Sequence, residues 1–244
     1  MTDTHSPESA VQTKREAAAS HFCDRATFTI VAERRSVRGF KADPVDDTTI
    51  DAILAGASRA PSAQNMQPWR VHVVTGATKA QLTEAVSSAA LRGERSDEYN
   101  YLPEKIVEPY LARRRKVGLD LYALYGIGRD DIEGRTRAYL RNFTFFGAPL
   151  GLFFVIERTT SLGAWLDCGA FMQNVMILAR AAGLETCPQQ SWCDHGAVVH
   201  RVLGIPEDHI LVSGMAVGFM DAEAVANRLR TERAPVEEFT IRHR

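Results

Sequence analysis

The sequence predicts an α+β fold with a central, mostly antiparallel sheet flanked by helices, and three observations carry that expectation. Two apolar runs, residues 151–156 ("GLFFVI") and "HILVSGMAVGF" from His209, have the length and composition of buried strands. Long helical patterns separate them, without the regular strand–helix alternation of a parallel sheet. Residues 164–183, "AWLDCGAFMQNVMILARAAG", are apolar on nearly every side, as a helix buried on several faces would be. A helix of that kind is long for the core of one small domain and commonly forms a subunit interface.

The elements follow in order. "MTDTHSPESAVQTKREAAAS" is polar and lacks an apolar signal-peptide core, so residues 1–26 are expected to be a flexible extension. Residues 27–244 are then a single domain. Helical spacing begins at Phe28, Ile30 and Val31 and runs into Arg34, Arg35 and Arg38. "KADPVDDTT" is a turn and a helix start, with Asp47 or Thr48 as cap. Ile50, Ile53, Leu54 and Ala57 then mark one helix face. Pro61 and Pro68 end it, and "RVHVVTG" reads as an alternating strand closed by Gly76. Residues 78–91 form another helix. Residues 92–143 are charged and aromatic, and predict a partly exposed helical lid. Gly183 stands where a helix C-terminus favours glycine, and "GLETCPQQSW" connects that helix to the last strand.

Composition narrows the function. A chain of 244 residues with 45% hydrophobic content buries a large core. A formal net charge of -1 argues against general binding of nucleic acid or anionic membranes, and no run approaches the ~18 apolar residues of a membrane helix. Cys23, Cys168, Cys187 and Cys193 have no zinc spacing, so no metal is expected. They read as reduced thiols of a cytoplasmic protein.

Four segments carry candidate chemistry. Arg34, Arg35, Ser36 and Arg38 are either a solvated helix end or a phosphate site, since guanidinium forks and a hydroxyl converge within a few residues. Pro61, Ser62, Ala63, Asn65 and Gln67 place neutral hydrogen-bonding groups on a stiff loop; this suits a planar heterocycle, or is an ordinary helix–strand connection. Pro188, Gln189 and Gln190 lie in the connection after Gly183, and Arg233 is a tail arginine beside a proline. His72, His195 and His200 read as structural or surface residues. The run from Arg113 to Lys116 is a solvated helix face or a lid that attracts anions.

Taken together, R-R-S-x-R, then A-P-S-x-x-N-x-Q-P-W, then G-L-x-T-C-P-Q and a late arginine resemble the nitroreductase family of FMN-dependent oxidoreductases over about residues 27–240. "YLPEKIVEPYLARRRKVGLDLY" resembles the subgroup that reduces nitroaromatic compounds. The resemblance implies an intertwined homodimer with FMN sites at the subunit interface, and NADPH or NADH as electron donor. Arg34, Arg35, Ser36 and Arg38 would hold the phosphate, ribityl chain and pyrimidine edge, with Arg233 closing on the phosphate. Pro61, Ser62, Ala63, Asn65 and Gln67 would come from the other subunit, and Pro188, Gln189 and Gln190 would lie near the ring. Where some relatives carry a lysine two residues before that late arginine, this chain has Thr231. The implied activity is ping-pong reduction of small nitroaromatic substrates to nitroso and hydroxylamine products, with no catalytic side chain. The alternatives are reductive dehalogenation or another flavin reductase activity on the same scaffold, or a flavin-binding or flavin-sensing protein with incidental turnover. No G-x-G-x-x-G follows a strand, so no separate nicotinamide domain is expected.

Overall fold

The computed structural model describes residues 24–244. The extension expected over 1–26 lies outside the described residues up to residue 23, and so does Cys23. At 24–26 a helix is already beginning, because the Asp24 carboxylate accepts the Ala26 N–H at 2.9 Å and caps it. The helices in chain order are α1 (Arg25–Glu33), α2 (Asp47–Ala57), α3 (Gly76–Leu91), α4 (Tyr110–Leu124), α5 (Ile132–Leu140), α6 (Leu162–Ala181) and α7 (Gly196–Leu203).

The strands are β1 (Arg70–Val74), β2 (Leu150–Glu157), β3 (Glu185–Gln189) and β4 (His209–Gly218), arranged β1-β2-β4-β3 with every pairing antiparallel. The sheet is thus the antiparallel one expected. β2 reads as an unbroken apolar run because it is buried on both faces. Leu152, Phe154 and Ile156 join α2 and α6 in one cluster with Phe171, Met172 and Val175. Phe153 and Val155 face the other way, into an aromatic cluster with α3 and α7.

Two elements depart from the sequence reading. The connection "GLETCPQQSW" contains strand β3, and α7 follows it. β3 is short and carries Pro188, which cannot donate to a ladder, so its local signal is weak; it forms because β4 and the segment after α1 hold it from both sides.

The cap of α2 is Asp46, one residue earlier than expected: its Oδ1 accepts the Thr49 N–H at 2.8 Å and the Thr48 hydroxyl at 2.5 Å. Those bonds, the Thr48 hydroxyl foremost, hold the Asp46 carboxyl down to about 2. A depressed folded-state pKa means that the charge stabilises the fold fully above the ordinary value of 3.8 and that this contribution is lost as the pH falls through about 2. Asp46→Ala should therefore lower the unfolding midpoint at pH 7, with a deficit that shrinks between about pH 4 and pH 2. A deficit of constant size across that range in thermal melts would show that the charge has no part in the cap.

α6 behaves differently from a helix buried all round. Ala164, Cys168, Phe171, Met172, Val175 and Ala179 form one buried stripe, while Leu162 and Leu166 are 83% and 78% exposed. With 20 residues and a mean hydropathy of 1.2, α6 does reach the length and apolarity of a membrane span, contrary to the sequence expectation. Its packing against α2 and the sheet makes it a core helix with one unpartnered face.

The region expected to be helical over 92–143 contains α4 and α5, while residues 92–109 form no helix. No residue of α4 is buried. Phe143 is fully buried, so the exposed region gives way to core by that residue. The Arg113–Lys116 run is only partly free: Arg113 pairs with Glu238 at 2.5 Å, and Lys116 lies 2.8 Å from Asp120 and 3.7 Å from Glu232. This ties α4 to the C-terminal tail.

Candidate functional site

The site grows from the way the chain leaves α1. Arg34 turns extended (φ -54°, ψ 130°) instead of continuing the helix. The chain then runs beside β3: Ser36 pairs with Thr186 in parallel, and the Val37 N–H donates to the Thr186 carbonyl at 3.0 Å. A few residues on, Phe40 pairs with Met220, and the Lys41 N–H donates to the Phe219 carbonyl at 2.9 Å. The arginine segment is therefore clasped between the edge of the sheet and the tail that follows β4. Gly39 permits this, because a Cβ there would collide with the Cβ of Ala224.

Arg34 and Arg35 line a cleft of about 690 Å³, together with Arg180 and Gln173 of α6, Glu185 of β3, and Arg230, Thr231 and Arg233 of the tail. Arg180 pairs with both Glu33 and Glu185. Five guanidinium groups thus face two carboxylates. Burial lowers the pKa of Arg34, and the nearby Arg233 lowers it further. Arg35 is lowered in the same way, by burial and then by Arg230. Among the described residues the buried Nε of Arg35 has no hydrogen-bond partner, and its Nη2 meets the Met220 sulfur at 2.9 Å. Arg230 and Arg233 fold back on their own chain: Arg230 Nη1 donates to the Asn227 carbonyl at 2.8 Å, and Arg233 Nη1 to the Thr231 hydroxyl at 2.8 Å. Half-buried like charges with spare donors favour a negatively charged partner. Thr231 serves here to hold Arg233.

The other expected site residues fall in three places. Arg38 does not line the cleft; its Nη1 donates to the Ser36 carbonyl at 3.3 Å, and its own carbonyl accepts from Arg141 Nη2 at 3.1 Å. On β3, Pro188 is half-buried, whereas Gln189 is only 3% exposed and turned into the core, where Nε2 donates to the Asn142 carbonyl at 2.7 Å. Gln190, half-buried, starts the turn that follows.

The loop of Pro61, Ser62, Ala63, Asn65 and Gln67 lies elsewhere. Pro61, Ala63, Asn65 and Gln67 are exposed, and Ser62 Oγ accepts the Gln67 N–H at 3.0 Å. Asn65 (φ 60°) and Gln67 (φ 49°) sit in the left-handed region, a strained form that persists only where its surroundings demand it. The Ala63 N–H donates to Asp167 of α6 at 3.1 Å. Arg180 of the cleft stands thirteen residues further along that helix, about 20 Å away at 1.5 Å per residue. A single chain does not bring the loop to the cleft.

Sequence reasoning missed Arg180, Arg230 and Asn227. "NRLRTER" at 227–233 carries the signal for Arg230, since arginines recur within one short tail segment; nothing local marks Asn227. Among the described residues no group of three or more His, Cys, Asp or Glu could hold a metal ion. Cys168, Cys187 and Cys193 are buried free thiols, and burial pushes Cys187 up to about 11 and the other two up to about 12. His195 is also buried, its Nε2 3.1 Å from the Tyr139 hydroxyl, and burial lowers its pKa.

Comparison with known proteins agrees with this architecture. The model of the nitroreductase family matches residues 31–219. Chloronitrobenzene nitroreductase of Comamonas testosteroni is 37% identical over 214 residues, covering 86% of this chain and 94% of the relative. A 4-nitrobenzoate reductase of Pseudomonas putida is 38% identical over 211 residues, covering 86% and 92%. Among solved structures, the FMN and NADPH-dependent nitroreductase NfnB from Sphigopyxis sp. strain HMH superposes with a TM-score of 0.87 at 39% identity, covering 89% of this chain and 98% of the other.

Proposed function

This chain belongs to the nitroreductase family, and from that premise we propose that it is an FMN-dependent enzyme that reduces nitroaromatic compounds with electrons from NADPH or NADH. The observation that carries the reading is the arginine-lined cleft, whose crowded guanidinium groups and unpartnered Arg35 Nε suit the phosphate of FMN. When bound, FMN would supply the redox chemistry, relaying two electrons at a time from a nicotinamide to the substrate: one round with two protons takes the nitro group to nitroso and water, and a second round takes the nitroso group to the hydroxylamine.

The chain's part is to bind, orient and tune. Arg34, Arg35, Arg230 and Arg233 hold the phosphate, and Ser36 and Arg38 follow the cofactor from that end towards its pyrimidine edge. Pro188 and Gln190 border the ring by backbone, while Gln189 acts from behind by fixing the Asn142 carbonyl. Pro61, Ser62, Ala63, Asn65 and Gln67 complete the site of a second copy of the chain, which makes the enzyme a homodimer. The exposed Leu162 and Leu166 of α6, and Met66 at 60% exposure in the loop itself, are the apolar surface that a second copy would cover. The helices of 92–143 form the lid over the small aromatic substrate, with no role for nucleic acid or a membrane. Three buried free thiols suit a reducing cytoplasm.

No side chain needs to act as an essential acid or base. The thiols are held protonated by burial, and His195 is shut behind Tyr139. Changes at His195, Cys187 or Cys193 should lower turnover by less than ~10², the low end for losing an acid–base catalyst. Steady-state rates with NADPH and a nitrobenzoate test the scheme: parallel double-reciprocal plots are expected, because both substrates use one site in turn. Intersecting plots would demand a ternary complex, and absence of flavin reduction by either nicotinamide under anaerobic conditions would leave only a binding role.

A further inference from the structure

We propose that Asn227 is a positioning residue for the phosphate end of the site, the clamp that sets the tail arginines opposite Arg34 and Arg35; the proposal rests on the reading of the cleft as a phosphate site. The two halves of the cleft come from segments nearly two hundred residues apart, and one buried side chain joins them. Asn227 is 6% exposed. Its Oδ1 accepts the Arg38 N–H at 2.7 Å, and its Nδ2 donates to the Gly39 carbonyl and to the Asp221 carbonyl, each at 2.8 Å. Three bonds from one amide hold the arginine segment and the start of the tail at a single separation.

The same residue reaches the arginines through its backbone. Its carbonyl accepts from Arg230 Nη1 at 2.8 Å, which folds that side chain towards the cleft wall. Its own N–H donates to the Ala224 carbonyl at 2.9 Å, in a turn whose Ala224 leaves no room for a side chain at Gly39. Asn227 is absent from the cleft lining, so it acts through Arg230 and through the placement of the tail that carries Arg233. Aspartate in its place would lose both donors and serine would lack the reach; asparagine is suited because it accepts and donates at one point.

The test compares FMN with riboflavin, which lacks the phosphate, in titrations of flavin-free full-length protein. Asn227→Ala should weaken FMN binding by about tenfold or more, the effect of a lost buried hydrogen-bond set, while riboflavin binding changes by less than about threefold. In an Arg230→Ala/Arg233→Ala background, adding Asn227→Ala should change FMN affinity by less than about twofold, as expected for residues acting as one unit. Equal weakening of both ligands would mean general loosening and would overturn the proposal, as would an undiminished effect in the arginine-free background. If removing the two arginines leaves the preference for FMN over riboflavin intact, the phosphate reading itself fails and takes the proposal with it. Should Asn227→Ala not fold, Asn227→Ser, which also adds no charge, supplies the same comparison.

Discussion

Arg34→Ala combined with Arg233→Ala is expected to weaken FMN binding by about 10²-fold or more, whereas Arg114→Ala, on the solvated face of α4, leaves it within about twofold. Each lost charge-assisted bond to the phosphate is worth roughly 1.5–3 kcal/mol, so two give at least about 3 kcal/mol. A smaller effect opposes this. In the flavin-free protein Arg34 and Arg233 repel each other, and after burial that repulsion is the next cause of the lowered pKa of Arg34. Across an open, watery cleft the repulsion is on the order of 1 kcal/mol or less, so the phosphate bonds win. The opposition leaves a signature: Arg233→Ala alone should lower FMN affinity while leaving the melting temperature of the flavin-free protein unchanged or slightly raised. Flavin fluorescence titration and thermal melts measure both. Equal affinity losses at Arg34, Arg233 and Arg114 would mean that the phosphate binds elsewhere.

Trp192→Ala should cause the largest loss of stability. Trp192 is fully buried, with ring centroids 4.6 Å from Phe145, 5.1 Å from Phe153 and 5.2 Å from Phe143. It lies flat against Gly214, where any Cβ would collide with the indole. Truncating a buried tryptophan costs about 3–5 kcal/mol. It would also remove a support from Phe145 and Phe146, consecutive buried residues with φ of 53° and 55°, conformations that cost ~1–3 kcal/mol each and need packing to persist. Against this, the buried indole N–H has no partner among the described residues, and its removal returns about 1 kcal/mol of desolvation, the low end of such penalties. The net should be about 3 kcal/mol, a fall of roughly 6–12 °C in the melting temperature for a chain of this size. Trp192→Phe keeps most of the packing and deletes the unpartnered N–H, so it should lose less than about a third as much. Melts of flavin-free protein at one fixed concentration decide the matter, since association would shift the midpoint; a change below about 2 °C for Trp192→Ala would show that the aromatic cluster is not what holds this face of the sheet.

How much of this was legible beforehand depends on the range of the signal. β2, β4, α2 and α6 follow from apolar spacing, which a strand or helix writes into its own residues because one side of it is buried. That Arg34, Arg35 and Arg233 meet in one cleft was partly legible, because Arg34 and Arg35 are neighbours in sequence, whereas Ser36 stands outside the lining. For α6 the apolar spacing marked a helix buried on several sides and suited to a subunit interface; within one chain the stripe from Ala164 to Ala179 is the buried part, and the rest of that reading belongs to a second copy. Gln189 stood in a promising motif, yet its side chain turns into the core, where the amide nitrogen donates to the Asn142 carbonyl.

The sequence by itself determined the α+β class, the main strands and helices, and the pairing of Arg34 with Arg35 on one short segment, because each rests on residues that are neighbours along it. Only the tertiary structure decided that β3 is a strand, that Arg38 leaves the cleft while Arg230 and Arg180 enter it, and that Asn227 joins the two walls. Those outcomes hang on pairings such as Arg38 with Asn227, 189 positions apart, and on β3 being held between β4 and the segment after α1. A contact between distant segments imposes no period on either of them. It becomes visible only when folding places its two partners within hydrogen-bonding distance.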